Sequence, residues 1–138
     1  MDELIELHLT LPPSVNKMWR PVRTPAGAKL VKTKAAEQWA AEAKQMVRAQ
    51  CGGARIPGQF RVLIEFPDSL ADIDNRIKAL LDACQHGGAV GNDRDCRGLQ
   101  AEIDESREHT ARLVLTPIPP ERRAPAGKQG SARMEQTS

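Results

Sequence analysis

The stretch Phe60–Cys84, FRVLIEFPDSLADIDNRIKALLDAC, changes its apolar period half-way along, and that change decides the fold. Phe60, Val62, Ile64 and Phe66 recur every second residue, as in a strand with one buried face. Pro67 closes the run because proline has no N–H for a ladder. Ile73, Ile77, Leu80, Leu81 and Cys84 then recur at helical spacing and form one stripe, with Gly87-Gly88 as the stop. A strand feeding straight into an amphipathic helix predicts helices laid on a sheet.

The flanks extend the pattern. Ile5, Leu7, Leu9 and Leu11 alternate and are stopped by Pro12-Pro13, which predicts a strand over about residues 3 to 11. Residues 12 to 31 are irregular, with a loose hairpin closing near Pro25-Ala26-Gly27. Ala36, Trp39, Ala40, Ala43, Met46 and Val47 predict a helix capped by Thr33 and ended by Gly52-Gly53. Leu99, Ala101 and Ile103, then Ala111, Leu113 and Leu115, predict two strands joined as an antiparallel hairpin across Asp104–Thr110. The fold class is mixed α/β (α+β), in the order β-α-β-α-β-β, with a small mixed sheet covered by two main helices. Residues 1–118 form one domain, and 119–138, rich in Pro, Gly, Ser and charge, form a disordered basic tail.

With 138 residues the chain holds one core, and with only Trp19, Trp39, Phe60 and Phe66 as aromatic residues that core is mostly aliphatic. Cys51, Cys84 and Cys96 are odd in number, and no apolar run follows a basic N-terminus, which predicts a reduced, cytoplasmic protein. No stretch reaches the roughly 18 apolar residues of a membrane span. The overall charge of +2 conceals a segregation: residues 17–34 carry Lys17, Arg20, Arg23, Lys29, Lys32 and Lys34 and no acid, whereas residues 65–108 hold eleven acids against five bases. One segment suits phosphate and the other cations, although solvated faces of opposite sign give the same pattern.

The acids that bear on chemistry sit between strand and helix. An extended 72–74 points Asp72 and Asp74 the same way with Ile73 turned to the core, and Lys78 lies one helical turn beyond Asp74. Two unit charges about 4 Å apart repel by roughly 4 kcal/mol at an effective dielectric of 20, so such a pair protonates, separates or holds a cation. Oxygen-only ligands favour Mg²⁺, with Mn²⁺ as an alternative. Either aspartate serves equally well as a helix cap. Arg76, Ile77 and Ala83 occupy positions that rule out an EF-hand. A zinc site at His86, Cys84 and Cys96 lacks a paired C-x-x-C. Asp93 and Asp95 form a further acid pair in a polar turn.

Taken together these residues resemble the RusA family of Holliday junction resolvases of bacteria and their phages, from the first strand to about residue 118. Pro12-Pro13-Ser14-Val15-Asn16 is similar to its P-P-S-x-N signature, Asp72-Ile73-Asp74-Asn75 to D-x-D-N, Leu81-Asp82-Ala83 to L/F-D-A, and Asn92-Asp93 to D-D. Lys78 falls on the family's lysine. The resemblance implies a Mg²⁺-dependent endonuclease that resolves four-way DNA junctions by paired nicks as a homodimer. It also implies Asp72, Asp74 and Asp93 as metal ligands, Lys78 near the scissile phosphate, and Asn75 and Asn16 in support. The chain departs from the family in having Asn92 for one acid of D-D, which leaves Asp95 as a substitute, and Ser69-Leu70-Ala71 where arginines are common. DNA contact then falls to Lys17, Arg20, Arg23, Lys29, Lys32 and Lys34. The alternatives are a noncatalytic DNA-binding recombination accessory protein, or a related nuclease acting on other branched phage DNA.

Overall fold

The computed structural model describes residues 3–14 and 19–122. Asn16, Lys17 and the tail beyond residue 122 lie outside the described residues. The elements run β1 (Ile5–Thr10), β2 (Trp19–Thr24), β3 (Gly27–Lys32), α1 (Lys34–Cys51), β4 (Phe60–Phe66), α2 (Ile73–His86), β5 (Cys96–Ile103) and β6 (Thr110–Pro117). One-turn 3-10 helices cover Asp93–Asp95 and Pro120–Arg122. This is the expected mixed α+β class: a four-stranded mixed sheet, a separate two-stranded ribbon and two helices.

Alternation fixes which sheet face is buried. Ile5, Leu7 and Leu9 of β1, Phe60, Val62, Ile64 and Phe66 of β4, and Ala111, Leu113 and Leu115 of β6 all turn into one core. Ala36, Trp39, Ala43 and Val47 of α1 and Leu80, Ala83 and Cys84 of α2 close it from above. Burial pushes the Cys84 thiol up to about 12, so it packs as a small hydrophobe. The Trp39 indole N–H donates to both the carbonyl and the hydroxyl oxygen of Thr10 at 3.1 Å, tying α1 to the end of β1. Thr33 caps α1 as expected, its hydroxyl accepting from the Ala36 N–H at 3.2 Å, and Gly52 ends the helix in the left-handed region at φ 58°.

The expected β5–β6 hairpin does not form. The sheet order is β1-β6-β4-β5, with β6 antiparallel to both neighbours and β5 parallel to β4 across α2. Burial explains the order. Every second residue of β6 from Ala111 to Leu115 is completely buried, which suits a central strand, whereas β5 carries Gln100 and Glu102 and leaves Leu99 and Ile103 each 45% exposed, which suits an edge. Chain adjacency and a polar connection favoured a hairpin, and packing overrode both.

Residues 19–32 are more regular than expected. They form an antiparallel ribbon in which Trp19 pairs with Lys32 and Thr24 with Gly27, turning at Pro25-Ala26. Gly27 takes φ 119°, a conformation L side chains rarely adopt, and the Thr24 hydroxyl closes the turn on the Gly27 carbonyl. Among the described residues no helix is long and apolar enough to cross a membrane.

Candidate functional site

Three connections gather at the end of the sheet where the parallel strands β4 and β5 finish: the residues after β1, the loop Pro67–Asp72, and the loop Asp104–His109 before β6. In open sheets with parallel strands this is the end where loops are free to build sites. A groove of about 490 Å³ opens there, lined by Leu11, Pro67, Asp68, Arg107, Glu108 and His109. Its floor is held by Arg107, which donates to the Thr110 carbonyl at 3.2 Å, to the Thr110 hydroxyl at 3.1 Å and to His8 Nδ1 at 2.8 Å. Arginine can only donate, so His8 carries its proton on Nε2 and gives it to Glu6 Oε2 at 3.0 Å. Both nitrogens of His8 are thus engaged, one with Glu6 on its own strand and the other with Arg107 in the loop before β6.

The loop Pro67–Asp72 delivers the acids. Ser69 N–H donates to Asp68 Oδ1 at 2.6 Å and Ala71 N–H to the Ser69 hydroxyl at 3.4 Å, so the loop is braced locally before the helix starts. The expected extended 72–74 is not what forms. Asp72 lies in the left-handed region, φ 55° and ψ 32°, its carbonyl accepts the first helical bond from Arg76 N–H at 3.0 Å, and its side chain makes no capping bond. The helix begins at Ile73 because its apolar stripe must reach the core, and the sharp turn from loop to helix falls on Asp72. Among the described residues only Asp72 and His109 have positive φ without being glycine, and both stand at this end of the sheet. A non-glycine residue held there costs of order 1–3 kcal/mol, and such strain clusters at functional sites.

Asp74 is exposed in the first turn of α2, where unsatisfied N–H groups favour negative charge, and Asn75 is half-buried beside it. Lys78 is 72% exposed and turns away from Asp74, with its Nζ 3.8 Å from Asp82 Oδ2 one turn further on. The expected meeting of two acids and a lysine is therefore replaced by a Lys78–Asp82 pair. Asp93 is not brought to the other two. It opens the 3-10 turn before β5, at the opposite end of the crossover, and its N–H donates to the Gln85 side chain at 2.9 Å. Gln85 is eleven residues beyond Asp74, about 16 Å of helix axis. Asp95 shares that turn. Among the described residues no three His, Cys, Asp or Glu side chains lie together so as to hold a metal ion.

Asn92, the departure from two adjacent acids, has a structural role, since its side chain caps the 3-10 turn by accepting from Arg94 N–H at 2.9 Å. Arg76, which in the sequence served only to exclude an EF-hand, is the unexpected member of this region. Its side chain is 16% exposed, its Nε and Nη1 are shielded without a hydrogen-bond partner, and Nη1 stops 3.9 Å from Asp68 Oδ1. Two shielded donors without hydrogen-bond partners are costly, and the signal for them was an arginine beside Ile73, Ile77 and Leu80 on the buried stripe.

The basic residues Arg20, Arg23, Lys29 and Lys32 are all exposed on the β2–β3 ribbon, and Lys34 is exposed at the first residue of α1. They form a cationic arm that contains no acid from residue 19 to residue 34.

No protein-family model and no curated protein matches the chain.

Proposed function

We propose that this chain is a Mg²⁺-dependent endonuclease of the RusA type, acting on branched DNA, four-way junctions above all, as a homodimer. The observation that carries the proposal is Asp72, an acid kept exposed in a strained left-handed conformation at the end of β4, with Asp74 in the helical turn that follows. A residue serving only as a helix cap ordinarily holds extended backbone, as Thr33 does before α1. Asp72 does not. The order and spacing of the motifs from Pro12-Pro13-Ser14 to Asn92-Asp93 support the same reading.

Mg²⁺ is ordinarily held by one or two carboxylates, several waters and substrate phosphate oxygens, and Asp72 with Asp74 fits that donor set. The chemistry that a bound Mg²⁺ supplies is activation of water and neutralisation of charge on the phosphate. Asp93 lies too far along the crossover to join the pair within one chain, so a third carboxylate comes from a second copy, in keeping with a homodimer. Two such shared sites related by a twofold axis would address two strands of a near-twofold junction. The cations of the ribbon hold phosphates, and Lys78, on a flexible stem, can exchange its exposed pair with Asp82 for a phosphate oxygen.

A synthetic four-way junction incubated with the protein and Mg²⁺ tests the proposal. Paired nicks are expected from the wild type, and binding without cleavage from Asp74→Asn and from Asp93→Asn. Co-expressed as a mixed dimer, the two variants leave one site with all three native acids, so cleavage should return at one strand. Absence of wild-type cleavage with any divalent ion would leave a noncatalytic DNA-binding protein. Cleavage of flaps in preference to junctions would keep the chemistry and change the substrate. An active Asp93→Asn would move the third ligand to Asp95.

A further inference from the structure

The two faces of the β2–β3 ribbon differ. Residues paired directly across antiparallel strands share a face. Val22 and Val31 share one face and are half-buried. The opposite face carries the Pro21–Leu30 pair, with Arg23 diagonal to Leu30 on β2 and Lys32 two residues along β3, and all four are exposed. Leu30 is 65% exposed, more than any other large hydrophobic residue among those described. Burying such a side chain is worth about 1.5–3 kcal/mol, and nothing in the described chain covers it. An apolar pair between two cations, on an arm without acids, asks for a partner that offers phosphate and an apolar surface within a few ångströms of each other. Base steps flanked by their own phosphates have that chemistry.

We propose that the outer face of the β2–β3 ribbon enters branched DNA, with Arg23 and Lys32 on phosphates and Leu30 wedged with Pro21 against an unstacked base step. The width of a two-stranded ribbon matches a DNA groove, and leucine and proline are among the side chains that unstack base steps. Unstacking costs a few kcal/mol in an intact duplex and least where pairing is already interrupted, so the wedge favours branch points over continuous duplex. This assigns structure selectivity to the ribbon. It rests on the DNA reading given above.

The test uses the full chain and a four-way junction with 2-aminopurine beside the branch point, in Ca²⁺ to suppress cleavage. Wild-type binding should raise the fluorescence as the base unstacks. Leu30→Ser should abolish the rise and weaken junction binding about ten- to a hundredfold, as expected for losing one buried leucine, while leaving intact-duplex binding and the salt slope unchanged. Arg23→Gln with Lys32→Gln should do the converse and lower the salt slope by about 2, roughly 0.9 per phosphate released. Because Leu30 faces solvent, its replacement leaves the core untouched. A Leu30→Ser protein equal to wild type in affinity and fluorescence overturns the wedge and leaves the DNA reading standing. Failure of the wild type to bind DNA overturns both. Self-association or binding to anionic vesicles that depends on Leu30, with no change in DNA binding, assigns the face to another partner and overturns the wedge.

Discussion

Gln50, in the last turn of α1, reads the open edge of β1 as a neighbouring strand would: its Nε2 donates to the His8 carbonyl at 2.8 Å, and its Oε1 accepts from the His8 N–H at 2.7 Å. One side-chain amide thereby occupies both backbone groups that His8 turns outward, which blunts an edge that otherwise invites pairing with another chain. Gln50→Ala should lower the unfolding free energy by about 0.5–1.5 kcal/mol, the net worth of solvent-accessible hydrogen bonds. It should also make the protein aggregate more readily on warming. Urea unfolding and light scattering measure the two effects, and a Gln50→Ala protein unchanged in both would show that water serves the edge equally well.

Gln50 also marks where sequence alone ceases to inform. The strands β1 and β4 and both helices were legible because each buries a face at a regular period, and Thr33 and Gly52 were legible because their chemistry is local. The pairing of β6 with β1 and β4 was not, since it depends on comparing the burial of whole strands rather than on any turn. In the candidate site the two acids at the β4–α2 junction stood out by type and spacing. The left-handed backbone of Asp72 did not, because aspartate suits an ordinary cap just as well. The separation of Asp93 follows from α2 crossing the full length of the sheet, which motif spacing along the chain does not reveal.

Gly87 ends α2 against α1. A Cβ built there would meet Val47 Cβ at 2.5 Å and Cγ1 at 2.6 Å, and the Lys44 carbonyl oxygen at 2.9 Å. Its φ of −82° is open to any residue, so the requirement is for space alone. Gly87→Ala should therefore destabilise the protein by about 1–3 kcal/mol, as overpacking does, despite the better helix propensity of alanine. A shift of the urea midpoint in the stabilising direction would mean that the two helices part without cost. Val47→Ala on top of Gly87→Ala should recover little of the loss, because it removes Cγ1 but leaves Val47 Cβ at 2.5 Å and the Lys44 carbonyl oxygen at 2.9 Å in the way.

Arg112 bridges two strands on the uncovered face of the sheet, donating to Glu6 at 2.7 Å and to Glu65 at 3.0 Å. The hydrogen bond from Arg112, helped by its charge and by His8, holds the Glu6 carboxyl below its ordinary value of 4.5. A carboxyl depressed in the folded state adds stability above its unfolded pKa and loses it as pH falls through the folded value. Wild type and Arg112→Gln should thus differ in stability at neutral pH and converge on acidification below the ordinary carboxylate range. Because Glu6 is well exposed the difference is small and should shrink further in high salt. A constant gap from about pH 7 to about pH 3 would assign the loss to packing of the arginine stem.

Substitutions at Asp72 separate backbone strain from chemistry. The left-handed region is easiest for glycine, tolerable for asparagine and worst for a β-branched residue. Asp72→Asn should unfold within about 0.5 kcal/mol of wild type, and so should Asp72→Gly where relief of strain is offset by the greater unfolded-chain entropy of glycine, whereas Asp72→Val should lose about 1–2 kcal/mol, the cost of forcing a bulky residue to φ 55°. Junction cleavage should instead depend on the carboxylate, so that the stable Asp72→Asn is as inactive as Asp72→Val. Stability comes from denaturant unfolding and activity from gel assays on the same preparations. Equal stability of all three variants would show that the turn into α2 does not need the left-handed conformation, and full activity in Asp72→Asn would remove Asp72 from the metal site while leaving its strain to be explained by the fold alone.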